Sequence, residues 1–492
     1  MRKFFSFGSL ATDVGHIVAL GWVLSLASAC MPVQAKPASS LPTSPHKDAL
    51  PPHISAALKQ ANVPLNALSV MVVPVQTTTN AAQLPARLSH RANAEMNPAS
   101  VMKLITTSAG LSMLGPDFTW RNRVFTDGTL QDGVLYGNLY LKGSGDPKWV
   151  VERLQSVIDA LMQKGLRDIR GDIILDGSVF DVSARNPASF DDEPLRPYNV
   201  APQGLLLNFN AMLFKFTPDV ARGEAKIDSE PPLRNVQWST SVPLSNAPCQ
   251  DWRSQLKADF SNADHVRFAG AYPSACGEQK WPVAYVQPHT FAARMVQAMW
   301  LQAGGKLSGQ TRDGLTPQGA KLWLEAPSLP LSDIVADINK FSNNVMAQQL
   351  FLTLSSQQGT GSFEASRALV LQWWRQNLKD QMLPVLENGS GLSREERSSA
   401  QALAALLQLG ARSAYAQALQ SSLAVAGVDG TVSRLKDRLP NSVAIGRAQL
   451  KSGSLRDVAS LAGYVEGLSG QRYVFVVIVN HPNANAARPV MD

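Results

Sequence analysis

A chain of 492 residues, 45% hydrophobic and 17% charged, can bury large cores and is expected to form two or three domains. Its formal charge of +7 is dispersed, with no Lys/Arg block of the kind that tracks a phosphate backbone. That excludes a nucleic-acid partner and leaves a solvated surface with weak, salt-screened attraction to an anionic membrane or cell wall. The seven histidines form no pair at helical i, i+4 spacing and no H-E-x-x-H, and no G-x-S-x-G elbow exists. Neither a zinc peptidase nor a Ser-His-Asp hydrolase is expected, and no metal or cofactor is called for.

Residues 1–35 read as a secretory signal. Arg2 and Lys3 are its charged start, Ile17 to Ala29 its apolar stretch, and Val33-Gln34-Ala35 its cleavage site. Ala27-Ser28-Ala29 before Cys30 offers a second site, of lipoprotein type. The apolar stretch is too short to span a bilayer, so the mature protein is expected to be soluble and periplasmic. Cleavage removes Arg2, Lys3 and Asp13, which lowers the charge from +7 to +6. It also removes Cys30, and the two cysteines that stay, Cys249 and Cys276, predict one disulfide in an exported chain. Residues 36–53, rich in Pro, Ser and Ala, predict a linker.

Further along, Leu68–Gln76 (LSVMVVPVQ) predicts a strand. Asn97-Pro98 predicts a helix start, with Asn as N-cap and Pro at the first helical position. Ser100-Val-Met-Lys103 follows, and this spacing puts Lys103 on the helix face of Ser100. The run onward to Leu114 is apolar on most faces, as a core helix must be. S-x-x-K also occurs at Ser44–Lys47, Ser254–Lys257 and Ser433–Lys436, in a Pro/Ser-rich tail or before charged, mixed stretches, and there reads as solvated serine. Residues 119–287 change character, with short strands (Gly137–Leu141, Gly171–Asp176), Gly/Asp/Pro turns and both remaining cysteines. They predict one or two β-rich domains inserted into a domain made of 54–118 and 288–492. Helices are expected at 100–114, 331–355, 365–378 and 399–409. Strands at Ser460–Val465 and Arg472–Asn480 (RYVFVVIVN) would pair with the N-terminal strand in one antiparallel sheet, giving an α+β fold.

Two further motifs complete a chemical set: Ser342-Asn-Asn344 and Lys451-Ser-Gly453. The order S-x-x-K, S-x-N, K-[ST]-G is that of serine enzymes that cleave D-Ala-D-Ala or β-lactam bonds. Ser100 is the candidate nucleophile and Lys103 its base, which requires a lowered lysine pKa. Burial and the charge of Lys451 both act in that direction. Ser342 and Asn344 are expected to relay protons to the leaving amine and hold a substrate amide. Lys451 would bind the terminal carboxylate, with Ser452 and Gly453 on the same strand edge. The backbone N–H groups of Ser100 and Ser454 are the expected oxyanion hole.

With this set in place, the chain resembles the class C low-molecular-mass penicillin-binding proteins, the D-alanyl-D-alanine carboxypeptidase/endopeptidases. The resemblance extends to Gly137-Asn-Leu-Tyr-Leu-Lys-Gly-Ser-Gly-Asp-Pro147, to Asn388-Gly-Ser-Gly-Leu-Ser-Arg394 and to Gly427-Val-Asp-Gly-Thr431. It implies a serine β-lactamase/transpeptidase-like catalytic domain interrupted by two extra domains, acting on peptidoglycan stem peptides and acylated by β-lactams. It also implies that Arg394 meets the side-chain carboxylate of diaminopimelate, that Asp192 (with Glu193 as rival) lies near that side chain's amine, and that Thr431 lines the same pocket. Ser452 stands where threonine is common, and Arg456 where some relatives carry a polar neutral residue. Members continue beyond the last strand into a closing helix. Its absence before Asp492 would leave part of an apolar sheet face uncovered.

Two alternatives use the same fold. A β-lactamase would need a well-placed deacylating glutamate. Glu193-Pro194 resembles the start of such a loop, but Asn199 is too far along for its spacing. A catalytically silent cell-wall-binding protein would tolerate a broken triple, and this triple is intact.

Overall fold

The computed structural model describes residues 50–76, 84–183 and 186–491. The secretory segment 1–35 and the linker as far as residue 49 lie outside them. No helix among the described residues is long and apolar enough to cross a membrane. The end of the expected linker is helical: Pro51-Pro52 opens α1 (Pro52–Gln60), with proline where a missing N–H costs nothing.

Six strands form one antiparallel sheet: β1 (Leu68–Pro74), β2 (Leu88–His90), β3 (Ala424–Val425), β4 (Ala448–Leu455), β5 (Val458–Glu466) and β6 (Arg472–Asn480). Their spatial order is β2-β1-β6-β5-β4-β3. The N-terminal strand therefore pairs with the last one, Val70 opposite Val477, as the two β-branched runs predict. Side chains alternate between two cores. Val474, Val476 and Ile478 face a helical layer, while Val477 and Val479 face α1 and Ala484, Ala487 and Val490.

The helical layer comprises α2 (Lys103–Leu114), α3 (Leu331–Phe341), α4 (Asn344–Ser356), α5 (Phe363–Asn377) and α6 (Ala400–Ala411). From Lys103 to Leu111 every residue of α2 is buried, which is why no polar stripe marks it in the sequence. Leu104, Phe351, Trp374 and Leu403 fill the space between these helices and the sheet. Each such fully buried side chain is worth roughly 1.5–3 kcal/mol relative to exposure.

Two helical expectations change in detail. The segment 331–355 is not one helix, because Ser342 adopts a left-handed conformation (φ 56°) and ends α3. Asn343 then caps α4, its side chain accepting from the Met346 N–H at 3.0 Å. The helix start at Asn97 is also tighter than expected. Residues Ala99–Met102 form a 3₁₀ turn and the α-helix proper begins at Lys103.

The inserted region extends past residue 288. Lys321–Pro327 pairs antiparallel with Arg121–Thr126, and Thr311–Asp313 pairs parallel with Ile173–Asp176. Helix Pro288–Gln302 buries Phe291, Met295 and Trp300 in the same core as Leu154, Phe214 and Ile227. Residues 288–327 therefore pack with the insertion, and the chain returns to the helical layer at Leu331. Amphipathic helix 288–302 and short strands carry no motif, so the sequence gives no boundary there. A disulfide joins Cys249 to Cys276 within this region.

The sheet face turned away from the helical layer is only partly covered. Val72, Leu450, Leu461 and Phe475 line a cavity of about 540 Å³ that Ser100, Ser452, Arg488 and Met491 also line.

Candidate active site

The turn that carries Ser100 is held from both sides. Asn97 Oδ1 accepts from the Ala99 N–H at 2.8 Å, Asn97 N–H donates to Asn480 Oδ1 at 2.8 Å, and Asn480 Nδ2 donates to the Asn97 carbonyl at 2.9 Å. Ala99 is forced to a φ of 47°, a left-handed conformation that costs a non-glycine residue about 1–3 kcal/mol. The strain sits immediately before Ser100.

Lys103 is fully buried. Its Nζ lies 2.9 Å from Ser100 Oγ and donates to Asn344 Oδ1 at 2.6 Å and to the Ser390 carbonyl. Burial holds its pKa well below the ordinary lysine value, and the Lys451 charge adds to this, while the Glu396 carboxylate acts in the opposite sense. Lys451, equally buried, donates to Ser342 Oγ at 2.9 Å and to the Ser452 carbonyl at 2.7 Å. Burial pushes it down to about 7. The left-handed turn at Ser342 is what aims its hydroxyl at Lys451 while Asn344, one step into α4, reaches Lys103.

Gly453 sets the distance between β4 and Ser100. A Cβ there would stand 2.3 Å from Ser460 Oγ, 2.6 Å from the Pro98 carbonyl and 3.0 Å from Ser100 N. Only glycine lets the strand edge come this close. Ser460 Oγ donates to the Pro98 carbonyl at 2.6 Å and ties β5 to the same turn. Ser454 follows on the strand edge, exposed, and lines the cavity with Ser100, Ser342, Ser452 and Thr431. The hydroxyls of Thr431 and Ser452 are 2.6 Å apart. The turn that presents Thr431 is fixed by Asp429, which pairs with Lys340 at 2.6 Å and accepts from the Val425 N–H.

Arg394 and Asp192 do not line the cavity that holds Ser100 and Ser452. The Arg394 guanidinium lies 4.9 Å over the Phe190 ring, a cation–π contact with the inserted region. A small recess lined by Phe190, Asn199, Gln348 and Leu392 adjoins that stack. Asp192 is exposed at a φ of 61°. The acid engaged with the nearby aromatic is Asp191, which accepts from Tyr198 Oη at 2.8 Å and from Asn199 Nδ2 at 2.8 Å. Glu193 pairs with Arg196 at 3.3 Å. The Tyr198 carbonyl in turn accepts from Asn344 Nδ2 at 3.4 Å, linking this segment to the S-x-N motif.

Sequence reasoning missed three supports: Asn97 with Asn480, Ser460, and Glu396. The last sits in the run Ser393-Arg-Glu-Glu-Arg397, which reads as a solvated charge cluster, yet Glu396 is fully buried.

Known proteins carry the same plan. D-alanyl-D-alanine carboxypeptidase DacB of Haemophilus influenzae is 25% identical over 391 residues, covering 78% of this chain and 80% of that protein. D-alanyl-D-alanine carboxypeptidase of Actinomadura sp. strain R39 is 26% identical over 426 residues, covering 81% and 76%. The crystal structure of penicillin binding protein 4 (dacB) from Haemophilus influenzae superposes with a TM-score of 0.71 at 22% identity, over 89% of this chain and 98% of that one. That likeness fixes the fold as transpeptidase-like α+β with additional β-rich domains. Residues 50–492 match the D-Ala-D-Ala carboxypeptidase 3 (S13) family, and the chain belongs to that family of serine-type carboxypeptidases.

Proposed function

We propose that the protein works in the periplasm, removing the terminal D-Ala from peptidoglycan stems and cutting D-Ala–diaminopimelate cross-links through an acyl-enzyme on Ser100. We propose further that β-lactams acylate the same serine. The observation that supports this most directly is the pair of buried lysines, one on each serine: Lys103 Nζ 2.9 Å from Ser100 Oγ, Lys451 Nζ 2.9 Å from Ser342 Oγ.

In this reading neutral Lys103 takes the Ser100 proton as Oγ bonds to the carbonyl carbon of the penultimate D-Ala. The oxyanion accepts from the N–H groups of Ser100 and Ser454. Collapse breaks the C–N bond, and the proton returns through Ser342 to the departing amine. Water then adds to the ester, gives its proton to Lys103, and the acid leaves as Ser100 is reprotonated. Lys451 and Ser452 hold the terminal carboxylate beside Gly453, with Thr431, which the resemblance assigns to the diaminopimelate pocket, next to them at 2.6 Å from the Ser452 hydroxyl, and Asn344 holds a substrate amide. Arg394 grips the diaminopimelate carboxylate, and Asp192, on the same segment as Phe190, meets its amine.

The test is turnover of defined stem peptides and cross-linked fragments. The wild type should release D-Ala and also cleave cross-links, and absence of both would overturn the proposal. Arg394→Ala should lower kcat/KM on diaminopimelate peptides roughly 10- to 150-fold, the cost of a charged contact of ~1.5–3 kcal/mol, and leave Lys-containing peptides little changed.

The pH profile follows from the two lysines. Acylation needs Lys103 neutral and Lys451 charged. With Lys451 at about 7 in the free enzyme, kcat/KM on carboxylate-ended peptides should fall as pH rises through that region. A bound carboxylate favours the charged lysine, so the same limb in kcat should lie higher. A substrate ending in a carboxamide should show no such limb, and an identical limb for both would remove Lys451 from carboxylate binding.

A further inference from the structure

Glu396 belongs to none of the three motifs, yet it is the carboxylate on which the loop Asn388–Arg394 is built. Its Oε1 accepts three backbone N–H groups, from Glu387, Asn388 and Gly389, each at 3.0 Å. Its Oε2 is buried with no hydrogen-bond partner among the described residues. A buried carboxylate with one oxygen triply engaged and the other bare is costly to retain for loop stability alone.

The loop it gathers touches both reacting groups. The Ser390 carbonyl accepts from Lys103 Nζ. Gly391, at φ 80°, lies so close to the nucleophile that a Cβ would stand 2.0 Å from the Ala99 carbonyl and 2.8 Å from Ser100 Cα. At Gly389 (φ 71°) a Cβ would stand 2.5 Å from Phe351 of α4 and 2.7 Å from Thr106 Oγ1 of α2, and its carbonyl accepts from that hydroxyl at 2.6 Å. The bond to Lys103 has a directional consequence. A neutral amine has two N–H groups and one lone pair. With the N–H groups given to Asn344 Oδ1 and the Ser390 carbonyl, the lone pair is left facing Ser100 Oγ.

We propose that Glu396 is a positioning residue for acyl transfer, holding the loop so that the Ser390 carbonyl orients the lone pair of Lys103 onto the Ser100 hydroxyl. This rests on the reading of Ser100 as nucleophile and Lys103 as base. Glu396 touches no substrate and acts through Ser390 and Lys103. The geometry depends on an acceptor at the Oε1 position more than on charge. A glutamine keeps that acceptor, whereas an aspartate keeps the charge and withdraws the oxygen by one methylene.

The experiment is stopped-flow acylation by a fluorescent penicillin, comparing wild type, Glu396→Gln and Glu396→Asp. The first-order acylation rate constant at saturation is read separately from the labelled fraction. Glu396→Gln should stay within about threefold of wild type, and Glu396→Asp should lose about tenfold or more in rate constant at full labelling, as a misaligned base does. A structural role alone would lower the labelled fraction and leave the rate constant of the remaining enzyme unchanged, which overturns the proposal. Equal loss in both variants, or none in Glu396→Asp, also overturns it. Wild-type enzyme labelled elsewhere than Ser100 would instead remove the reading on which it rests.

Discussion

Ser100→Ala should abolish covalent labelling by penicillin, and Lys103→Ala should slow acylation by about 10²–10⁴-fold, the usual worth of a positioned general base. Both effects follow from one short contact, Lys103 Nζ to Ser100 Oγ at 2.9 Å, in a site where Lys103 is fully buried and its pKa is lowered by that burial. With Lys103 as the proposed base, its alanine variant removes the proton acceptor and leaves the hydroxyl at its unassisted reactivity. It also frees Asn344 Oδ1 and the Ser390 carbonyl, so some loss of thermal stability should accompany the kinetic effect. Mass spectrometry of the adducted peptide after penicillin treatment is the check. An adduct on any residue other than Ser100, or persistent labelling of Ser100→Ala, would sink the assignment.

Gly453→Ala should lower acylation by about 10²-fold, because a displacement of the order of 1 Å at a reacting centre is enough for such a loss. The added methyl would meet Ser460 Oγ at 2.3 Å and the Pro98 carbonyl at 2.6 Å. Neither can move freely, since these two atoms are hydrogen-bonded to each other and Pro98 is part of the turn that carries Ser100. The strand edge must retreat, and the Ser454 N–H retreats with it from the expected oxyanion position. Acylation kinetics with a chromogenic β-lactam, beside circular dichroism to verify folding, separate this from global damage. A folded Gly453→Ala enzyme with wild-type kinetics would remove the close approach as a requirement.

How much of this was legible in the sequence depends on the range over which each feature is decided. The three motifs were readable because their chemistry is local: S-x-x-K is one helical turn, and K-S-G is three consecutive residues on a strand edge. The sheet was readable because LSVMVVPVQ and RYVFVVIVN are β-branched and have few alternatives. The break at Ser342 was not, because no glycine or proline marks it and the left-handed Ser342 that ends the first helix has no local signature. The left-handed Ala99 was hidden for a similar reason, since no glycine marks it. The place of residues 288–327 is not legible locally, because strand pairing with 121–126 is a long-range fact with no local signature. Glu396 was the deepest omission. Its neighbours Arg394, Glu395 and Arg397 are charged, and burial of one acid among them is visible only when the three N–H groups converge on it.

The pairing of β1 with β6 bears on the order in which the protein can assemble. Leu68 lies opposite Val479, so the first strand of the sheet has only the three-residue β2 on one edge, and nothing on the other, until nearly the whole chain has been made. At a synthesis rate of about 5–20 residues per second, the interval is roughly 20–80 s. The inserted region, whose strands all lie between residues 121 and 327, has every partner it needs well before then. It is therefore expected to fold first, while one edge of the apolar segment Leu68–Val73 waits unpaired. An open apolar edge is prone to self-association, so assembly should gain from a holding chaperone that covers it until the last strand arrives.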